Sequence, residues 1–114
     1  MKLGEKGEGL AAKFLRNQGY KILEQNYKTR IGEIDIIAMD GEKLVFVEVK
    51  TRESLHYGRP FESVTRSKRR KISNVAILYL KRLKIIPPCR FDVVSIYHDQ
   101  GRPEFELIKD AFEI

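Results

Sequence analysis

The chain has 114 residues, 42% of them apolar, with 22 Lys and Arg against 16 Asp and Glu for a net charge of +6. That length suits one domain, residues 1–114, and the apolar share excludes a disordered tail. A single cysteine, Cys89, excludes an internal disulfide framework, and no apolar run is long enough to cross a membrane.

The lone cysteine fits a reducing cytoplasm, the localisation expected here. Lys2, Glu5, Lys6 and Glu8 open the chain without an apolar run, which reads as no signal peptide. The pI near 9.5 favours a polyanionic partner, nucleic acid foremost.

In chain order, the first element is a helix over about Leu3 to Gln18, with Leu3, Gly7, Leu10, Ala11 and Phe14 on one side and Gly19 as its stop. Gly4, Gly7 and Gly9 do not match a dinucleotide fingerprint, because no strand precedes them. Tyr20 to Lys28 reads as a first strand, with Asn26 near its end. "EIDIIAM" and "KLVFVEVKT" read as strands two and three, joined at Asp40-Gly41 by a type I′ turn. A basic helix is expected from about Glu62 to Leu83, with Ile72, Val75, Ala76, Tyr79, Leu80 and Leu83 as its apolar face. Pro87-Pro88 stops any continuation. "CRFDVVSIY" is a fourth strand, and "PEFELIKDAF" a fifth after the turn at Asp99-Gln100-Gly101. Helix, three strands, helix and two strands make an α/β or α+β class with a mixed sheet.

The second and third strands carry charges that a plain hairpin does not need. With Asp40-Gly41 as the loop, Met39 faces Glu42, Asp35 faces Phe46 and Glu33 faces Glu48. Glu33, Asp35, Glu48 and Lys50 then share one face, with Asp35 and Glu48 about 7–8 Å apart on the diagonal. A register looped at Gly41-Glu42 sets Asp35 directly opposite Glu48. Only a slip of one residue separates them onto opposite faces. Ile37, Leu44 and Phe46 lie on that same side, so the charges emerge from a partly apolar surface. Two outcomes suit it: a divalent ion held by the carboxylates, or a buried salt bridge to Lys50 or Arg52.

Asp35 followed by Glu48-Val49-Lys50 after a hairpin turn resembles the metal-binding core of the PD-(D/E)xK nuclease superfamily. More closely, "GEKGEGLAAKFLRNQGYKILEQNYKTRIGEIDIIAMDGEKLVFVEVKTR", "VTRSKRRKI" and "CRFDVVSI" resemble the YraN family of small bacterial endonuclease-like proteins, with similarity to Holliday-junction resolvases. The resemblance implies a restriction-endonuclease-like α/β core, a mixed central sheet flanked by helices. It implies Mg²⁺ or Mn²⁺ held by Asp35, Glu48 and the backbone carbonyl of Val49, with Lys50 as the catalytic lysine. Glu8 matches an acidic residue that related resolvases place near the metal, and Lys68 a basic position facing substrate. Ile34 stands where the superfamily's name has proline, a residue without a role in metal binding.

The run Arg66, Lys68, Arg69, Arg70 and Lys71 reads as a phosphate-contacting surface that positions DNA without reading its sequence. Tyr57 to Pro60 reads as a lip over the substrate, and Asp92 as a structural hydrogen-bonding residue. The implied function is metal-dependent hydrolysis of DNA phosphodiesters, in branched or damaged structures. The rivals are a nucleic-acid-binding module without efficient catalysis, and a scaffold recruiting a repair partner through its sheet edge. Branched-DNA enzymes of the superfamily often work as symmetric dimers, but no dimer surface is evident in the sequence.

Overall fold

A computed structural model describes residues 3–52 and 65–113. Its elements are α1 (Leu3–Asn17), β1 (Lys21–Thr29), β2 (Gly32–Asp40), β3 (Lys43–Arg52), α2 (Arg66–Leu80), β4 (Cys89–Asp99) and β5 (Arg102–Ile108). The expected lip at Tyr57 to Pro60, and the stretch from Glu62 where the second helix was expected to begin, lie outside the described residues.

Helix α1 ends as its glycine predicts. Gly19 takes φ +94, its N–H donates to the Arg16 carbonyl at 3.0 Å, and the Tyr20 N–H reaches the Leu15 carbonyl at 2.9 Å. That pair of bonds is the Schellman stop. Helix α2 starts at a Thr65 cap, whose hydroxyl accepts from the Lys68 N–H at 3.2 Å. It ends at Leu80, before the expected Leu83.

The five strands form one sheet in the order β1-β2-β3-β4-β5. All neighbours are antiparallel except β3 and β4, which run parallel with α2 as the connection between them. The class is therefore mixed α/β, as expected. The fifth strand is shorter than expected: it stops at Ile108, and the tail packs Phe112 against Phe91 with ring centres 4.9 Å apart.

The helices cover opposite faces. Ala11, Ala12 and Leu15 of α1 pack on Ile36, Ala38, Val45, Val47, Val94 and Ile96. On the other face Ile72, Val75, Ala76 and Tyr79 of α2 pack on Ile37, Leu44, Phe46, Phe91 and Val93. Gly7 permits the close seat of α1 on β3, since a Cβ there would come 2.6 Å from the Thr51 hydroxyl.

The β2–β3 register differs from the preferred count. Asp40 pairs with Lys43, Met39 with Leu44 and Ile37 with Phe46, so the loop is Gly41-Glu42. Only Gly41 has positive φ, at +62. A glycine at the first central position makes a type II′ turn. The expected type I′ turn needs Asp40 itself in the left-handed region, which costs a side-chain-bearing residue more than it costs Gly41. The type I′ geometry is found between β4 and β5 instead, where Gln100 and Gly101 take φ +52 and +78.

Far from the charged end of the hairpin, Asp92 sits 0% exposed in the sheet. Arg90 donates to both its oxygens, at 2.8 and 2.9 Å, and the Tyr20 hydroxyl donates at 2.7 Å. The Asp110 N–H adds a bond at 3.0 Å, and Arg90 also reaches Asp40 at 2.8 Å. This network ties β4 to β2 and to the first turn after β5, as the structural reading of Asp92 anticipates. Removing its centre leaves the mostly buried Arg90 guanidinium with Asp40 as its remaining carboxylate partner and takes the acceptor from the Tyr20 hydroxyl and the Asp110 N–H. Asp92→Ala is expected to cost about 3–5 kcal/mol of stability, measured by equilibrium urea unfolding. A loss under about 1 kcal/mol would mean that water solvates Arg90 there.

Candidate functional site

The register places the charged residues. Continuing the observed pairing one residue past Ile36–Val47 sets Asp35 opposite Glu48. The ladder itself stops at Ile36–Val47, and strict alternation stops with it: Ile34 and Ile37, three residues apart, both pack on the α2 side, while Ile36 packs on the α1 side. The expected flat row of Glu33, Asp35, Glu48 and Lys50 is thus broken at Asp35. The Asp35 carboxylate instead accepts the Val49 N–H at 2.8 Å, occupying a ladder position of β3 that β2 leaves open.

Around it stand charges from both helices. Glu8 of α1 stands close enough to Asp35 to raise its pKa. On the α2 side Glu48, only 9% exposed, meets the Lys68 ammonium at 2.8 Å and the Lys50 ammonium at 3.5 Å. Asp35, Glu48, Lys68 and Lys71 line a cavity of about 200 Å³, with Gly32 and Glu33 at one wall. Among the described residues no three His, Cys, Asp or Glu side chains converge as a ready-made metal cage. The arrangement is two carboxylates with two lysines, and Glu8 behind Asp35.

The electrostatics follow from burial. Loss of water and then the negative charge of Glu48 push the Asp35 carboxyl up to about 8, against the pull of the Val49 N–H; Glu8 adds to the rise. Burial, and then the neighbouring Lys68, draw Lys50 below the usual lysine range, while Glu48 opposes them. Burial also acts against the charge on Lys68, but Glu48 outweighs it and holds Lys68 above its ordinary value. Chemically the pocket offers a carboxyl, Asp35, with its pKa raised to about 8, a carboxylate, Glu48, paired with two lysines, and an ammonium, Lys50, that gives up its proton more readily than a solvated lysine.

The basic run divides. Lys68 and Lys71 face the carboxylate cavity. Arg66, Arg69 and Arg70 line a separate cavity of about 300 Å³ with Ser73, Asn74 and Glu113. Arg69 lies 5.5 Å from the Phe112 ring centre, so part of its work is to hold the C-terminal tail. Glu33 stays exposed at the wall.

Ser95 had no signal in the sequence. The parallel register pairs it with Lys50, its side chain is 0% exposed, and its hydroxyl has no hydrogen-bond partner among the described residues. Paired β4 and β3 residues lie side by side, which puts a free hydroxyl next to the lysine. Forty-odd residues separate the two in the chain, so only the crossover reveals the pairing.

A carboxyl raised to about 8 has a stability signature. Folded Asp35 keeps its proton where the unfolded chain, near 3.8, has lost it. The folded state then binds more protons, so stability contributed at low pH is lost as pH rises from about 4 through about 8. Without added metal, the urea midpoint of the wild type should fall over that window relative to Asp35→Asn, which has no proton to lose. Parallel curves would mean that Asp35 is ionised throughout.

The profile of a family described as "Uncharacterised protein family UPF0102" matches residues 7–96. A UPF0102 protein of Geobacter metallireducens is 50% identical over 113 residues, spanning 98% of this chain and 93% of the relative. One from Symbiobacterium thermophilum is 51% identical, with 97% and 96% covered, and one from Syntrophus aciditrophicus is 47% identical, with 100% and 91% covered.

Proposed function

The chain belongs to the UPF0102 family, and from the pocket it carries we propose that it is a metal-dependent nuclease-like protein that hydrolyses DNA phosphodiester bonds, in branched or damaged structures. The observation that carries this reading is that Asp35 and Glu48 line one cavity, with Lys50 and Lys68 against the second carboxylate. A structural salt bridge needs one lysine and one carboxylate. It does not need a second carboxylate held so far from its ordinary range.

The donor set fits a hard divalent cation. Asp35 and Glu48 supply carboxylate oxygens, and Mg²⁺ or Mn²⁺ asks for one or two of these while keeping several waters. Such an ion would lower the pKa of a water and offset charge on phosphate oxygens. Asp35 would give up its proton to take its place in that set, with its second oxygen still oriented by the Val49 N–H. Lys50 would hold charge as it develops on the phosphate, and Ser95 would steady its ammonium from the side. Lys68 pairs with Glu48, so its ammonium is the cation that an ion must displace. Freed, it would reach the cavity mouth beside Lys71, where a phosphate enters. Among the described residues no helix is long and apolar enough to cross a membrane, and the proposed partner is DNA. The basic stripe of Arg66 and Arg70 would run along its backbone.

Two experiments divide the reading. Single-turnover cleavage of single-stranded, duplex, flapped and four-way DNA with Mg²⁺ or Mn²⁺ should show activity that Asp35→Asn abolishes. Lys50→Ala should lower it on the order of 10²-fold while leaving most DNA affinity in place. Binding without cleavage by the wild type would leave a nucleic-acid-binding module. The second experiment is calorimetric titration with Mn²⁺. Lys68→Met should bind it on the order of tenfold more tightly than wild type, because the competing ammonium is gone, a figure that allows for its partial exposure. Unchanged affinity would place the ion away from Glu48.

A further inference from the structure

The tip of the β1–β2 hairpin borders the carboxylate cavity. Gly32 and Glu33 line that cavity, and they also close a second concavity of about 410 Å³ formed by the tip itself. At the tip Ile31 is 49% exposed; Arg30 just before it and Lys28 near the end of β1 are exposed too, as is Glu33, the cross-strand partner of Lys28. A lone exposed isoleucine is ordinary. This one is unusual in how firmly it is presented. Its N–H donates to the Thr29 hydroxyl at 3.2 Å, and that hydroxyl donates to the Gly32 carbonyl at 2.9 Å. Gly32, at φ +150, lies so close to α2 that a Cβ would sit 3.2 Å from Val75 Cγ2. The turn is therefore locked within itself and clamped to the helix that carries Lys68 and Lys71.

A firmly held apolar tip with two cations on its β1 side, at the wall of the carboxylate cavity, matches one kind of ligand surface: a base step and the phosphates of the strand that adjoins it. Lys28 and Arg30 complement the phosphates, and Ile31 meets the apolar faces of the bases. We propose that Ile31 is a wedge that enters the opened base step of a branched or mispaired DNA, with Arg30 and Lys28 holding the phosphates of the strand on the β1 side of the tip. The proposal rests on the DNA reading above but not on catalysis. It explains selectivity, since opening a step costs a few kcal/mol in paired duplex and much less where stacking is already interrupted.

The test uses the full chain in Ca²⁺, with a four-way DNA junction and a paired duplex of equal length. Each carries 2-aminopurine at the bases flanking the junction centre or the matching duplex position. Wild type should raise the fluorescence several-fold on the junction, the mark of an unstacked base, and should prefer junction to duplex. Ile31→Ser should lose the fluorescence rise and at least tenfold of that preference, with duplex affinity within twofold of wild type. Ile31→Leu should restore both. The side chain is exposed, so a matching thermal melt will show that Ile31→Ser keeps the fold. An unchanged fluorescence rise and preference in Ile31→Ser overturns the wedge. So does a wild type that binds both DNAs equally without a fluorescence change, or one that binds neither. An Ile31-dependent signal from a protein that cuts nothing in Mg²⁺ or Mn²⁺ would uphold the wedge and sink the hydrolytic reading alone.

Discussion

Where β2 and β3 part company past Ile36–Val47, a β3 backbone N–H needs an acceptor, and Asp35 supplies it. Much at this end of the molecule depends on that substitution of a carboxylate for a ladder carbonyl. It draws Asp35 out of water and beside Glu48, and so raises its pKa. Two lysines from different elements answer the charge of Glu48. Burial and the neighbouring Lys68 then lower Lys50, while Glu48 holds Lys68 raised against its own burial. A single break in pairing thus gives four ionisable groups four different environments.

The rest of the fold holds this break steady. Helix α1 is seated tightly enough on β3, through Gly7 at Thr51, that Glu8 arrives at Asp35 from one side of the sheet. Helix α2 brings Lys68 and Lys71 from the other, and its Val75 fixes the hairpin tip at Gly32. At the opposite end the Asp92–Arg90–Tyr20 network is fully satisfied and carries no such imbalance. Both ends bury charge. One compensates it completely; the other holds Asp35 with its pKa raised beside Glu48 and, among the described residues, a hydroxyl, Ser95, without a partner. Polar groups buried without full compensation are costly, which is why the second end reads as a site and the first as a structural tie.

Much of this was legible in one dimension. Alternating apolar residues defined the hairpin, helical spacing defined both helices, and glycines marked the stops and turns. Glu33, Asp35, Glu48 and Lys50 stood out because they interrupt those patterns. The resemblance to endonuclease-like proteins added Glu8 and Lys68, and both are near the carboxylates. The family itself was legible, as the match over residues 7–96 bears out. Even the split of the basic run follows from helical spacing once the inward face of α2 is known, although the tie between Arg69 and Phe112 does not.

By itself the sequence determined which segments pair and that Glu48 and Lys50 share a face, since side-chain alternation has a period of two. That same period could not determine the register. Sliding β2 against β3 by two residues leaves the alternation intact, so the loops Asp40-Gly41 and Gly41-Glu42 fit the pattern equally. The turn decided between them, because only glycine takes positive φ there without strain. The turning of Asp35 into the gap, the pairing of Ser95 with Lys50 and the clamping of Ile31 beside the pocket were decided by tertiary structure alone. Each depends on where β4 or a helix docks, and docking is set by packing among residues far apart in the chain, which no local pattern records.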